Sequence, residues 1–264
     1  MARSVGVMSV QVVPDMVANA VRRSPGARCV LEGDRSHTFA ETSERAGRLA
    51  HALLGQGLAP GDRVGLLAMN ELEYTEIQVA CQRAGLTLVP LNYRLALPEL
   101  EYMVGDAAPE VLIHGPGFDE HAAALGVGRT LHLGSGGSGD PYEALLADAG
   151  DAIEPGMLDP AAACSILYTS GTTGRPKGAV ISNLALWARM TAFAVDVGQN
   201  PGAVFLQCLP LFHIASNLGY SFTYGGGANV FVKMFSPEAV FAHLEEHRPT
   251  HVLLVPTMIT MVLN

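Results

Sequence analysis

The chain has 264 residues, and its 16 Lys and Arg residues against 25 Asp and Glu residues give a formal net charge of −9. This acidic balance, without any basic run, argues against nucleic-acid binding, because phosphates need positive charge. Hydrophobic residues make up 49% and charged residues 16% of the chain, which excludes wholesale disorder and predicts a substantial core.

The four cysteines show neither a C-x-x-C pair nor a His/Cys cluster of zinc spacing, so no metal site is predicted. Each has apolar neighbours, which predicts buried, reduced thiols and a cytoplasmic location. The N-terminus lacks the apolar segment of a secretory signal, and the longest late apolar stretch, 251–264, is interrupted by Pro256. We therefore expect no transmembrane segment, while shallow membrane contact and the oligomeric state stay open.

The first half of the chain alternates short apolar strands with amphipathic helices. Residues 28–32 and 36–39 flank Gly33-Asp34 and predict a hairpin. Thr38 and Glu41 have the spacing of a capping box, which predicts a helix that ends near Leu54. Further strands are predicted at 63–68, 86–92, 110–115 and 129–133, and further helices at 71–84, near 118–125 and from Pro98 onward.

The second half begins with GSGGSG at 134–139, followed by small and acidic residues up to Pro160. This composition predicts a flexible loop region over 134–160. Farther on, Ser236 followed by Pro237 indicates a helix that begins there and ends near His247. The other strands of this half are predicted at 162–170, 203–209, 228–234 and 250–256, and the other helices at 183–197 and 214–224.

Alternation of apolar strands with helices predicts an α/β fold with mostly parallel sheets covered by helices. We expect a first α/β part over about 10–160 and a second part, with a glycine-rich loop, over 161–264. Residues 256–264 have the pattern of the first turns of a helix without a stop signal, so we expect the domain to be incomplete.

The segment YTSGTTGRPKG at 168–178 is the most specific signal for chemistry. It joins a strand to three glycines, four hydroxyl side chains and Lys177. Glycines allow a backbone to approach a ligand closely, and successive N–H groups can form a nest for an anion. With the hydroxyl donors and one cation, the pattern predicts a polyphosphate-binding loop at the end of a strand.

Two common nucleotide-binding motifs do not fit this segment. A Walker A loop needs G-x-x-x-x-G-K-[ST], but Pro176 stands before Lys177 and Gly178 follows it. No G-x-G-x-x-G follows the first predicted strand, so a dinucleotide-binding fold has no support either.

The loop closely resembles the signature phosphate loop of the adenylate-forming superfamily, which includes acyl-CoA synthetases, luciferases and the adenylation domains of peptide synthetases. Three other segments resemble the same family: VPLNYRL (89–95), LPLFHIAS (209–216) and HVLLVPTM (251–258). The matches extend from about Ala40 to the end of the chain. The resemblance implies the large N-terminal domain of such an enzyme, without its small C-terminal domain.

The resemblance implies ATP-dependent activation of a carboxylic acid, which we expect to be a fatty acid, followed by thioester formation with CoA. ATP, Mg²⁺ and CoA are the implied cofactors and substrates. Lys177 has the implied catalytic role of neutralising charge on pyrophosphate, while Phe212 and His213 line the acid pocket. The implied ATP-binding residues are Thr169, Ser170, Gly171, Thr172, Thr173, Gly174 and Lys177. Leu209, Phe212, Tyr220 and Phe222 are candidates for an acyl tunnel, but their interpretation as core residues is favoured. For His213, a role in the channel between the acid pocket and the thiol entry and an ordinary half-buried histidine both stay open.

Some family features are missing from this sequence. We find no aromatic-Gly-x-Thr-Glu segment, whose Glu helps to hold Mg²⁺ in relatives, no later Asp for the ribose and no C-terminal catalytic Lys. We therefore expect little or no adenylation by this chain alone. The alternatives are an adenylating enzyme that transfers its acyl group to a carrier-protein thiol and a non-catalytic half-protein that binds nucleotide, although VPLNYRL and PLFH favour CoA.

Overall fold

The structure is a computed structural model that describes residues 12–134, 140–169, 175–197, 201–213 and 217–263. The strands are β1 Val13–Pro14, β2 Arg28–Glu32, β3 Arg35–Thr38, β4 Arg63–Leu67, β5 Thr87–Pro90, β6 Val111–His114, β7 Thr130–His132, β8 Met157–Leu158, β9 Ala163–Thr169, β10 Lys177–Ser182, β11 Val204–Gln207, β12 Ala228–Phe231 and β13 His251–Val252. The helices are α1 Ala18–Arg23, α2 Phe39–Gly55, α3 Glu73–Ala84, α4 Leu97–Ala107, α5 Asp119–Leu125, α6 Pro141–Asp148, α7 Asn183–Val197, α8 Asn217–Gly225, α9 Pro237–His247 and α10 Pro256–Leu263.

Two mostly parallel sheets form the framework, as the sequence predicts. The first has the strand order β10-β9-β5-β4-β6-β7, and only β10 in it is antiparallel to its neighbour. The second has the order β13-β11-β12-β2-β3, with β3 antiparallel to β2. Each sheet contains strands from both halves of the chain, so the two predicted parts, 10–160 and 161–264, are interleaved.

Helices α2 and α3 lie between the two sheets. The main apolar cluster contains Val30 and Phe231 of the second sheet and Leu66 of the first, together with residues of both helices. Every residue of α3 is buried except Arg83, which as a whole residue is half-buried although its side chain is enclosed, and this is the pattern of a helix covered on all sides. A second cluster packs α4 and α5 on the other face of the first sheet. The first sheet therefore has helices on both faces, which explains its near-continuous apolar strands.

Two polar residues that follow β4 connect the first sheet to the second. The Asn70 amide donates to the Val232 carbonyl at 3.0 Å and to the Leu209 carbonyl at 3.2 Å, and it accepts from the Leu211 N–H at 2.9 Å. Next to it, the Lys233 ammonium, just beyond β12, binds the Glu71 carboxylate at 2.9 Å. These contacts fix the carboxyl ends of β4, β11 and β12 relative to one another.

The predicted helix starts have the expected side-chain contacts. Thr38 Oγ1 accepts from the Glu41 N–H at 3.2 Å, and the Glu41 carboxylate accepts from the Thr38 N–H at 2.7 Å, which completes the capping box. Ser236 Oγ accepts from the Ala239 N–H at 3.1 Å at the start of α9, with Pro237 at the first helical position. Both predictions are confirmed.

The flexible loop predicted over 134–160 is wrong for part of its length. Helix α6 occupies Pro141–Asp148, and β8 pairs with β1. The physical reason is a helix N-terminus, since Asp140 Oδ1 accepts from the Tyr142 N–H at 2.9 Å and Pro141 presets the first turn. Residues 135–139 of the Gly/Ser run lie outside the described residues. The strand predicted at 250–256 is also shorter, because α10 begins at Pro256.

All four cysteines are free and buried, as predicted. Burial raises the pKa of the Cys29 thiol to about 12, which keeps it protonated at neutral pH. Among the residues that the structure describes, no helix combines the length and the apolar character needed to cross a bilayer.

Candidate functional site

The predicted phosphate loop connects two hydrogen-bonded strands. Strand β9 ends at Thr169, β10 begins at Lys177, and these two residues are direct partners across the antiparallel pair. Both are exposed. The predicted ATP-binding residues Ser170, Gly171, Thr172, Thr173 and Gly174 lie outside the described residues. The two ends of the loop are therefore held at the spacing of adjacent strands, about 4.8 Å.

Gly178 has a packing reason to be glycine. It faces Tyr168 across the pair, and a Cβ added to it would lie 2.8 Å from Ile166 Cγ2 and 3.2 Å from Tyr168 Cζ. The Tyr168 hydroxyl in turn donates to the Asp106 carboxylate at 2.6 Å. Burial and the charge of Asp106 both raise the pKa of Tyr168, so its hydroxyl stays protonated and can donate. Because Gly178 has no side chain, the Tyr168 ring has room to pack at the start of the loop.

A pocket of about 510 Å³ opens beside this loop. It lies where β5 and β9, parallel neighbours, reach their carboxyl ends, which is where open α/β sheets bind ligands. Its lining residues come from β5, the following turn, α4, both ends of the loop and the segment after β11: Pro90, Asn92, Leu95, Glu99, Met103, Tyr168, Thr169, Pro176, Phe212 and His213.

The structure brings three of the predicted site residues together around this pocket. Thr169, Phe212 and His213 all line it, although they come from two different sheets. His213 is exposed and follows the end of β11, so its position agrees with a place at the pocket and not with the half-buried alternative. Lys177 lies at the loop end but is not among the lining residues.

Leu209, Tyr220 and Phe222 are buried, as their interpretation as core residues predicts, whereas Phe212 is half-buried and lines the pocket. Two of the segments that carried the family resemblance meet at the pocket. Tyr93, from VPLNYRL, packs edge-on against Phe212, from PLFH, with ring centroids 5.2 Å apart. The Arg175 guanidinium lies 5.8 Å from the centroid of the Tyr102 ring on α4. This cation–π contact attaches the far end of the loop to the helix that forms the pocket floor.

The charges at the site come mainly from the loop ends. Glu99 carries the one carboxyl side chain among the described lining residues, and it already accepts from the Ala96 N–H at 3.0 Å. The cations Arg175 and Lys177 flank the loop instead. An anion held there would therefore meet positive charge on the loop side and the apolar surface of Met103 and Phe212 on the other.

Each carboxylate of the acidic cluster Glu32, Glu71 and Glu73 already has a basic partner. The Arg35 guanidinium binds Glu73 at 2.6 Å and Glu32 at 2.6 Å, and Lys233 binds Glu71. We assign no Mg²⁺ to this cluster, because two cations occupy its carboxylates.

The sequence reasoning missed Asn92, Glu99 and Met103 as lining residues. Asn92 stands inside VPLNYRL, and its position just beyond a predicted strand was a usable signal. Glu99 and Met103 are one turn apart on α4, and only the packing of that helix beside β9 places them in the pocket. No local sequence pattern predicts such a contact.

Comparison with protein families gives one decisive match: the family described as AMP-binding enzyme matches residues 17–264. The chain belongs to this family. The similar proteins include one named as a CoA synthase, one named as an acyl-carrier-protein ligase and one whose structure is described as ATP-bound.

The chain is 39% identical over 240 residues to a feruloyl-CoA synthase from Amycolatopsis sp, a match that covers 90% of this chain and 47% of the relative. It is 30% identical over 252 residues to the fatty acid–[acyl-carrier-protein] ligase ScoC of Streptomyces coeruleorubidus, covering 92% of this chain and 48% of the relative. A structure of ATP-bound MatB from Rhodopseudomonas palustris is 28% identical with a TM-score of 0.83, covering 95% of this chain and 51% of that one. The chain thus spans about half the length of the curated relatives it matches.

Proposed function

We propose that the chain supplies the phosphate loop and acid pocket of an ATP-dependent acid–thiol ligase. The observation that carries this proposal is that the two ends of the signature loop, at β9 and β10, lie beside a pocket lined also by two other family segments, VPLNYRL and LPLFHIAS. Membership in the AMP-binding family supports the same reaction class.

The proposed reaction has two steps. A carboxylate oxygen attacks the α-phosphorus of ATP, the bond to the bridging oxygen breaks and pyrophosphate leaves with an acyl-adenylate formed. A thiol, which we propose to be that of CoA, then attacks the acyl carbon, gives up its proton and expels AMP. In the first step negative charge builds on the leaving pyrophosphate, and donors positioned in advance stabilise it most effectively.

Each predicted loop residue has a role in this proposal. Backbone N–H groups and hydroxyls of Thr169, Ser170, Gly171, Thr172, Thr173 and Gly174 donate to the β- and γ-phosphates. Lys177 supplies the positive charge. The cross-strand pairing of Thr169 with Lys177 supports this assignment, because it places a hydroxyl donor at one end of the loop and a cation at the other. We propose Mg²⁺ as the accompanying ion, with ligands outside the described pocket residues.

For the acid we propose an aryl carboxylate first and a fatty acid second. The relative of 39% identity is named for a feruloyl thioester, whereas the fatty-acid ligase is 30% identical. Phe212 and Tyr168 present aromatic surface on the pocket wall, against which a planar ring packs well. His213 stands at the rim, where the thiol would enter.

A carrier-protein thiol is the second candidate acceptor, and the match to ScoC favours it. Assays of one enzyme with both acceptors separate the two. Thioester formed with free CoA supports the first proposal, and thioester formed only with a phosphopantetheinylated carrier protein supports the second.

The role of Lys177 can be tested by acid-dependent ATP–pyrophosphate exchange in the complete enzyme, with aryl and fatty acids compared in parallel. We expect Lys177→Ala to slow exchange about 100- to 1,000-fold, as for the loss of one oxyanion donor. Arg48→Ala is the matched control, because it removes the same charge from an exposed pair with Glu44 on α2. Unchanged exchange in Lys177→Ala would contradict the proposal.

A further inference from the structure

Three side chains at the β7 side of the first sheet converge without forming part of the pocket described above. His114 ends β6, His132 ends β7, and the two are direct partners in the parallel pair. Their rings lie 5.1 Å apart. Asp119 begins α5, and its Oδ1 lies 3.6 Å from His132 Nε2. One ligand atom from each residue lies within 4.8 Å of the other two.

Strand alternation explains why these side chains share one face. His114 is two residues beyond Leu112, which packs in the cluster beneath α4 and α5. Successive side chains alternate across a sheet, so the His114 ring also faces α5. His132 pairs with His114 and points the same way, as their ring contact shows. The N-terminus of α5 then brings Asp119 over both rings.

His114 supplies the second observation that points to a ligand. Its side chain is buried, with 5% exposure, yet its Nδ1 has no hydrogen-bond partner among the described residues. Buried polar atoms are nearly always satisfied, and such an exception asks for an explanation. An imidazole nitrogen is also the commonest metal ligand that a protein offers.

We propose that His114, His132 and Asp119 form a binding site for a divalent transition-metal ion, with Zn²⁺ as the fitting ion. Two imidazoles and a carboxylate are a ligand set that zinc accepts, and water completes a tetrahedron. Zinc ligands at about 2.0–2.2 Å stand roughly 3.4 Å apart in that geometry. The separation of 3.6 Å between His132 and Asp119 is already close to it.

The remaining adjustment is small and takes place on the exposed side. The His132 side chain is 32% exposed and that of Asp119 68% exposed, so both can rotate toward the buried His114 and admit the ion from solvent. The site stands three and four strands away from β9 in the sheet order, about 14–20 Å at the usual strand spacing. Metal here would join the outermost strand β7 to β6 and α5 without touching the nucleotide loop.

Zinc titration of the purified full chain, stripped with a chelator, tests the proposal by calorimetry, and Co²⁺ absorption reports tetrahedral coordination. We expect one Zn²⁺ per chain and a higher melting temperature with metal. His132→Gln and Asp119→Asn should weaken binding at least about tenfold, the smallest loss expected when even an outer partner is removed. His114→Gln should do the same, but its burial makes the two exposed variants the primary test.

Helix α9 supplies the matched control. His243 and His247 lie one turn apart there with their rings 5.4 Å from each other, so they form a second place where zinc could bind. The double variant His243→Gln/His247→Gln should keep the proposed site and its affinity. The proposal is overturned if the wild-type chain binds no zinc, or if binding survives in His132→Gln and Asp119→Asn. It is equally overturned if binding disappears only in the α9 double variant.

Discussion

At the scale of single residues, the Asn70 side chain connects segments that are far apart in the sequence. Its side chain satisfies three backbone groups of the segments that follow β11 and β12, and the segment 209–211 leads directly into Phe212 and His213. Asn70 therefore positions one wall of the pocket without lining it. No sequence pattern indicates this role, because an Asn beyond a strand more often marks an ordinary turn.

Replacement of Asn70 by Ala should destabilise the protein by about 1–3 kcal/mol, because it leaves buried backbone groups without partners. Urea unfolding followed by circular dichroism measures the change. Asn19→Ala is the control, since the side chain of Asn19 accepts a hydrogen bond from Arg22 at the surface of α1. Equal stability of the two variants would show that the Asn70 contacts make no net contribution to the free energy of unfolding.

His37 makes folding sensitive to acid. Burial and the nearby Arg45 lower its pKa from 6.5 to about 4, with Arg35 adding to the effect and Glu41 and Glu143 opposing it. Between pH 6.5 and about 4, His37 therefore binds a proton in the unfolded chain but not in the folded chain. Stability should fall as the pH decreases from about 6.5 toward 4, because linkage favours the state that binds more protons.

The variant His37→Gln should lose less stability over that pH interval than the wild type. Thermal melts at closely spaced pH values measure the two slopes. At pH 7 the His37 ring is mostly neutral in the folded and in the unfolded chain. The difference in stability between the variant and the wild type at that pH therefore reports packing effects. Parallel slopes in the two proteins would assign the acid sensitivity to other groups.

At the scale of elements, the sequence predicted those that carry their own local signals. The β2–β3 hairpin, the capping box of α2 and the Ser-Pro start of α9 are encoded by neighbouring residues. Strand β10 was missed because Lys177–Ser182 is exposed along its first four residues and lacks apolar alternation. It exists because β9 offers it a hydrogen-bonding edge, which is a tertiary effect.

The same distinction applies to the site. The loop residues, Phe212 and His213 follow from motifs, whereas Glu99 and Met103 follow from the packing of α4 beside β9. The pairing of His114 with His132 depends on the register of β6 and β7, and 17 positions intervene between the two histidines (115–131). No spacing rule for metal ligands covers such a pair.

The pairing of β9 with β10 should depend on Gly178. Gly178→Ala places a methyl group against Ile166 and the Tyr168 ring, and such overpacking costs about 1–3 kcal/mol. Hydrogen exchange of the β9 and β10 amides should rise in this variant. Gly55→Ala at the end of α2 meets nothing within 4 Å and should leave exchange unchanged. Normal protection in Gly178→Ala would mean that the strands adapt.

At the scale of the whole molecule, a buried ion pair holds the N-terminal segment to the core. The side chains of Asp15 and Arg83 are 0% and 1% exposed, and they meet at 3.0 Å. Arg83 also donates to the Ser43 carbonyl at 2.7 Å, while Asp15 accepts from the Gly156 N–H at 3.1 Å. One pair thus connects the N-terminal segment, α2, α3 and the segment before β8.

Asp15→Ala should destabilise the protein by about 3–5 kcal/mol, because the Arg83 charge would be left buried and unpaired. Chemical denaturation provides the measurement. Glu44→Ala, which breaks the exposed pair with Arg48, should cost no more than about 1 kcal/mol. A small effect of Asp15→Ala would imply that water reaches Arg83 in the variant.

The interleaving of the sheets also sets an order in time for a chain emerging from the ribosome. Strands β4 to β7 are made within residues 63–132, so most of the first sheet can pair early. Strand β2, however, pairs with β12, and its last residue, Glu32, meets Lys233 across a separation of 201 positions. At about 5–20 residues per second, synthesis of that interval takes about 10–40 s. For that period the apolar strand at Cys29, Val30 and Leu31 is paired with β3 on one edge and unpaired on the other. This unpaired edge must be shielded from pairing with a strand of another nascent chain.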